Sequence, residues 1–157
     1  MKIKLLVVGK TDHKGLQTMI SDYEKRLRHY VKYEMEVIPA LKAAKNLSTL
    51  EQKDKEGDAI LSRISPSDLI ILLDEQGKQY TSVDFAKYLQ KLMNAGTRQL
   101  VFLVGGPYGF SDAVQSRAQY KMSLSRMTFS HQMVRLFFVE QLYRGFTILR
   151  NEPYHHQ

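Results

Sequence analysis

Two runs in this chain, Leu69-Ile-Ile-Leu-Leu73 and Leu100-Val-Phe-Leu-Val104, are apolar without interruption. A strand with one wet face alternates apolar and polar residues, whereas a strand apolar at every position has to be covered on both faces. Double cover requires helices in front of and behind a sheet, and sheets of that kind are built from parallel strands joined by helical crossovers. The segment Lys2 to Val8, ending in Leu-Leu-Val-Val before Gly9, has the same character.

Helical periods alternate with these strands. Gly15 to Val31 carries Leu16, Ile20, Tyr23, Leu27 and Tyr30 on one face. Glu34 to Ile38 is a short strand stopped by Pro39. Ser48-Thr-Leu-Glu51 has the spacing of a capping box and opens a helix to about Ile64. Asp74-Glu-Gln-Gly-Lys78 reads as a turn after a buried strand. The next helix starts near Thr81 or Ser82, carries Phe85, Leu89 and Leu92, and ends at Asn94-Ala-Gly96 in a left-handed glycine cap. Ser111-Asp112 caps a short helix to about Gln119, and Tyr120 to Ser125 alternates like a half-covered strand. A final helix runs from about His131 to Arg150, with Ser130 as its N-cap. The expected fold is α/β: a mostly parallel sheet of five strands with five helices on both faces, in one domain spanning 1–157.

The final helix is apolar around almost its whole circumference, with Met133, Leu136, Phe137, Val139, Leu142 and Phe146 pointing in different directions. A terminal helix at the edge of a small domain is hard to surround within one chain. This predicts a two-fold homodimer in which one face of the helix packs on a second copy.

Formal net charge is +7, with denser basic segments at Lys25-Arg26-Leu27-Arg28 and from Lys42 to Lys55. Such a surplus favours a polyanionic partner, most simply nucleic acid, through phosphate neutralisation and counterion release. The chain has no cysteine, which removes disulfides, thiolate metal sites and thiol nucleophiles together and suits a reducing cytoplasm. The N-terminal apolar run is too short for a signal peptide or a membrane span. The expected location is therefore the cytoplasm.

Several chemistries are excluded by spacing. Gly9-Lys10-Thr11 imitates the end of a phosphate-binding loop, but Lys4 stands where that motif requires glycine. His13, His29, His131, His155 and His156 have neither the pairing with Glu nor the partners of a zinc site, so no metal is expected. No serine lies in a nucleophile elbow. Asp74 and Glu75 at the end of a buried strand are either paired carboxylates or solvated turn residues.

Two loops in the last third are built for a ligand. Gly105-Gly-Pro-Tyr-Gly109 follows a buried strand, and three glycines and a proline in five residues can neither extend the sheet nor begin a helix cleanly. Leu124 to Phe129 joins a strand to the final helix. Open α/β sheets bind ligands at the carboxyl ends of their strands. Near the C-terminus, Tyr143-Arg144 and Tyr154-His155 place rings that can stack on a base beside a cation that can hold phosphate.

Gly105-Gly-Pro-Tyr-Gly109, the run from Ser123 to Arg135, Glu140-Gln-Leu-Tyr-Arg144 and Pro153-Tyr-His155, in this order and spacing, resemble the RlmH family of SPOUT methyltransferases. The likeness extends to Lys2–Lys10, Tyr23–Leu27, Lys55-Glu-Gly57 and Leu73-Asp74 with Gly77-Lys78, and so covers the whole chain. Ser130 and Phe110 stand where the family often has Pro and Leu.

The resemblance implies a C-terminal trefoil knot, a homodimer, and S-adenosylmethionine-dependent methylation of N3 of a pseudouridine in 23S ribosomal RNA, within the large subunit or the assembled ribosome. It also implies cofactor contacts at Leu73, Gly105, Leu124, Ser125, Arg126, Met127, Thr128 and Phe129. Arg135, Arg144, Tyr154 and His155 become candidates for stabilising charge, orienting the base or relaying its proton. The competing reading is a basic RNA- or ribosome-binding module of the same fold without catalysis.

Overall fold

The computed structural model describes residues 1–41 and 46–156. Lys42 and Lys45 of the basic segment lie outside the described residues. Strands and helices alternate throughout: β1 (Lys2–Val8), α1 (Lys14–Leu27), β2 (Lys32–Ile38), α2 (Thr49–Leu61), β3 (Leu69–Gln79), α3 (Ser82–Asn94), β4 (Gln99–Val104), α4 (Asp112–Arg117), β5 (Tyr120–Ser123) and α5 (Met133–Leu149). The strands form one sheet in the order β2-β1-β4-β3-β5, and every neighbouring pair is parallel. The doubly covered strands thus sit at the centre, as their unbroken apolar sequences require.

Side chains alternate across each strand and feed two cores. Ile3, Leu5, Val7, Leu100, Phe102 and Val104 face one side, where Leu27 of α1, Phe85 and Leu89 of α3, and Phe138, Leu142 and Phe146 of α5 cover them. Leu6, Val8, Ile70, Leu72, Val101 and Leu103 face the other, against Ile60 of α2, Phe110 and Val114 of α4. The expected caps form. Ser48 and Glu51 make a reciprocal capping box, Thr81 and Ser111 cap α3 and α4, and Gly96 takes φ +75° after α3.

Three local expectations are corrected. Asp74 to Lys78 is no simple turn: it belongs to β3, which pairs Leu73 with Met122 of β5, bulges outward, and pairs Lys78 with Met122 again. Gly77 permits the return, since a Cβ there would lie 2.5 Å from Met122 N and 2.6 Å from its carbonyl carbon. β5 ends at Ser123 and shows no alternation, passing from exposed Tyr120 to buried Met122 and Ser123, because it is an edge strand that dives toward the core. Finally, α5 begins regularly at Met133, yet Ser130 Oγ still accepts from Gln132 N at 3.2 Å and Met133 N at 3.3 Å.

The start of α5 is tied to the loop after β1. Arg135 is completely buried. Its Nε donates to His131 O (2.9 Å), Nη1 to Gly9 O (2.9 Å) and Thr11 Oγ1 (3.0 Å), and Nη2 to Val8 O (2.9 Å). Beside it, Gln132 Nε2 donates to Lys10 O at 3.0 Å and Gln132 Oε1 accepts from Asp12 N at 3.0 Å. Burial pushes the Arg135 guanidinium below its usual range, with Asp12 acting in the opposite sense. The donors of Arg135, a candidate for stabilising charge at the reacting base, are thus directed at three carbonyls and the Thr11 hydroxyl of its own chain.

The outer face of α5 is uncovered within one chain, with Met133 38% and Phe137 41% exposed. Replacing Arg135 by Met would orphan several buried acceptors, each costing about 1–3 kcal/mol. Arg135→Met is expected to lower unfolding free energy by about 3 kcal/mol or more in urea titration. Arg135→Lys should not recover it, because an ammonium cannot reproduce the planar fork.

Candidate active site

The carboxyl ends of β3, β4 and β5 open into a cleft of about 700 Å³. Each wall has a local cause. After β4, the chain turns through Gly106–Gly109, closed by Gly109 N donating to Gly106 O at 3.1 Å, with Gly109 at φ +79°. An L side chain resists that conformation. Gly105 packs on the buried Phe110 ring, whose nearest atoms would lie 3.3 Å from a Cβ at 105. A second wall is the Leu124–Phe129 loop, shaped by Ser123 Oγ donating to Ser125 O at 2.7 Å and Met127 N donating to Ser125 Oγ at 2.9 Å. The third is Leu73 and the β3 bulge, where Asp74 Oδ1 accepts from Gln76 N at 2.9 Å. Thr128 Oγ1 donates to Glu75 Oε2 at 2.8 Å and joins the second wall to the third.

Of the residues expected to hold a cofactor, Leu73, Gly105, Leu124, Ser125, Met127, Thr128 and Phe129 line this one cleft; Arg126 does not. Sequence reading missed Lys53, which reaches the cleft from α2, and Lys121 and Gln115, which bond to each other at 2.8 Å. Helical spacing predicted α2 without revealing which face meets the glycine loop. Asp74 and Glu75 both line the cleft, Asp74 half-buried and Glu75 exposed. A smaller apolar recess, between Tyr80, Phe85, Phe137 and Gln141, adjoins it and shares Met122, Ser123, Leu124 and Phe129.

The C-terminal candidates gather elsewhere, over the packing of α1 against α5. Arg144 Nη1 lies 3.2 Å from His155 Nδ1, and the guanidinium sits over the Tyr154 ring at 4.8 Å. Glu140 takes Arg144 Nε at 3.1 Å and the Tyr154 hydroxyl at 3.0 Å, while Tyr154 and Tyr23 hydroxyls are 3.0 Å apart. Tyr143 packs against Tyr23, Tyr30 and Tyr154. Burial, then the bonds with Tyr23 and Glu140, push the Tyr154 phenol well above its usual range. A guanidinium only donates, so His155 Nδ1 accepts and Nε2 carries the ring proton. That Nε2 is buried and has no partner among the described residues. Neither Arg144, Tyr154 nor His155 lines the cleft of its own chain. Val134 lines it, and Arg144 lies ten residues further along α5, about 15 Å along the axis.

Residues 1–155 match the family described as "Predicted SPOUT methyltransferase". The chain is 64% identical over 157 residues to a protein of Flavobacterium johnsoniae named ribosomal RNA large subunit methyltransferase H, with both chains fully covered. It is 57% identical, again over all of both chains, to the protein of that name in Parabacteroides distasonis. The chain belongs to the RlmH family of SPOUT methyltransferases. A probable methylase family protein from Haemophilus influenzae Rd KW20 shares the fold, with a TM-score of 0.53 at 12% identity, over 99% of this chain and 70% of that one. Among the described residues, no helix is long and apolar enough to cross a membrane and no cluster of side chains could hold a metal.

Two outcomes test this construction. Gly77→Ala would press a methyl group into the Met122 backbone. It should cost about 1–3 kcal/mol in denaturant titration and loosen the wall that carries Asp74 and Glu75. The Tyr30 hydroxyl, donating to Glu152 of the tail, is pushed up to about 12 by that bond first and by burial second. Its folded value exceeds the unfolded value of about 10, so its contribution is present below pH ~10 and lost as pH rises through ~12. Stability should fall across that window, with a shallower fall in Tyr30→Phe.

Proposed function

We propose that residues 1–157 form a single domain that transfers the methyl group of S-adenosylmethionine to N3 of a pseudouridine in 23S ribosomal RNA, acting in the cytoplasm as a homodimer with a trefoil-knotted cofactor cleft. The observation that carries this reading is the convergence of seven of the expected cofactor positions on one cleft at the carboxyl ends of parallel strands. The full-length likeness to ribosomal RNA methyltransferases supports the substrate class.

The residues present fit an adenosyl group. Leu73, Leu124 and Val134 offer apolar faces to a purine; Gly105 and the 125–128 backbone offer polar edges. Lys53 supplies a cation for a carboxylate. The cofactor, when bound, supplies an electrophilic methyl group. Before N3 could accept that methyl group it would have to lose its proton to water or hydroxide, and the negative charge of the resulting imide anion would be shared with the two flanking carbonyl oxygens. The Arg144 guanidinium is a donor suited to that charge, the His155 ring, 3.2 Å from it at Nδ1, holds it in place, and Tyr154, held as a phenol, orients rather than deprotonates.

The homodimer reading rests on the uncovered face of α5, where Met133, Phe137 and the neighbouring Phe129, its ring 5.1 Å from that of Phe137, are partly exposed. Antiparallel pairing of two copies of α5 about a point near Phe137 to Gln141 would bring the Arg144 end of one helix to the Val134 end of the other. One protomer's cleft would then meet its partner's tail. The surplus of +7 suits an RNA surface.

Titration calorimetry with S-adenosylmethionine separates an enzyme from a non-catalytic RNA-binding module: binding that is abolished by Gly105→Trp is expected, and no binding would sink the proposal. Arg144→Ala and His155→Ala should each lower turnover on ribosomes about 10²-fold while cofactor affinity stays near wild type. Cells lacking the protein should lose N3-methylpseudouridine from 23S ribosomal RNA.

A further inference from the structure

Glu56 is an anomaly of α2. Only 5% of its surface is exposed, and its one side-chain hydrogen bond among the described residues comes from Gln52 Nε2 to Oε1 at 3.1 Å. A carboxylate so buried, with no ion pair among the described residues, is costly to the fold. Its placement against the glycine loop is tightly set. A Cβ added to Gly106 would fall inside van der Waals contact of Glu56 Oε2 and 3.1 Å from Cδ, so the carboxylate fills the space a side chain at 106 would need. The following residue, Gly57, seats α2 just as closely on Ser111 at the far end of the loop. Gly106 itself lines the cleft. Glu56 therefore lies one backbone thickness behind the cleft wall.

The other charges of the cleft differ in kind. Asp74, Glu75, Lys53 and Lys121 line its surface, two of each sign, where water screens them. A charge on Glu56 would be felt through the Gly106 backbone rather than across open water, and so more strongly. We propose that Glu56 is a specificity-determining residue that makes the cleft prefer the cationic sulfonium of S-adenosylmethionine to the neutral thioether of S-adenosylhomocysteine. The two ligands differ by one methyl group and one positive charge. A buried negative charge holds the donor and loses its hold once the charge leaves with the methyl group, which speeds exchange of product for fresh donor. The inference rests on the cofactor reading of the cleft given above.

The test is calorimetric affinity for both ligands, S-adenosylmethionine and S-adenosylhomocysteine, in the wild type, Glu56→Gln and Glu56→Asp. Gln keeps the shape and an oxygen for Gln52 but removes the charge; Asp keeps the charge and shortens the reach. The expected result is that Glu56→Gln weakens S-adenosylmethionine about tenfold and S-adenosylhomocysteine less than about twofold. Glu56→Asp should preserve the ratio of the two affinities even where both decline. Equal weakening of both ligands by Glu56→Gln, no change in either, or loss of the ratio in Glu56→Asp would overturn the proposal. A wild-type protein that binds neither ligand would instead overturn the cofactor reading itself, and this inference with it.

Discussion

Burial of the Arg135 guanidinium is the constraint on which the arrangement of the site depends. A cation enclosed by protein is stable only when its donors are spent, and here they are spent on Val8, Gly9, Thr11 and His131. These acceptors lie where β1 ends, in a loop that leaves the sheet and would otherwise carry unpaired carbonyls. The same bonds fix the first turn of α5. Because α5 follows directly on the Leu124–Phe129 loop, fixing its start fixes one wall of the cleft. A residue that does not itself line the pocket thereby sets the position of several that do.

The other two walls are held by close approach rather than by charge. Gly77 lets β3 leave the ladder after Leu73 and return to the same partner, which pushes Asp74 and Glu75 out to where Thr128 can bond across. Gly106 lets the loop after β4 lie directly on Glu56. In both places a methyl group would separate surfaces that have to touch. Two of the three walls therefore rest on contacts at distances only glycine permits, Gly77 against the Met122 backbone and Gly106 against the Glu56 side chain.

Much of this fold was legible in the sequence because burial has a period. Unbroken apolar runs at Leu69–Leu73 and Leu100–Val104 required double cover, and both became inner strands. Capping residues placed the helix starts after Ser48, Thr81 and Ser111 to within about one residue, since an oxygen that accepts from the third amide is a local property. The β3 excursion was not legible: Asp-Glu-Gln-Gly is turn chemistry, and that the chain re-pairs with Met122 depends on a strand far away in sequence. The partners of Arg135 were not legible for the same reason. A lone arginine on a helix looks alike whether it faces phosphate or the carbonyls of β1, and only tertiary packing decides. Lys53 escaped notice, and the place of Glu56 behind the glycine loop was not legible, because helical spacing gives a face its polarity, not its neighbour.

α5 binds these parts into one argument. Its inner face, through Phe138 and Leu142, completes the core over Phe102, with the Phe102 and Phe138 rings 4.6 Å apart. Its flank, through Glu140 and Arg144, anchors the tail, and its first turn borders the cleft. A rigid helix holds its two ends apart, so cleft and tail cannot close on one another within a chain. The face left over, at Met133 and Phe137, is apolar and lies between them. Covering that face with a second copy, as proposed, would satisfy the burial that the helix lacks and, by two-fold symmetry, would turn the separation within one chain into proximity between two. The separation of cleft and tail and the exposed apolar face are thus two consequences of one stiff element, and each makes sense only in the presence of the other.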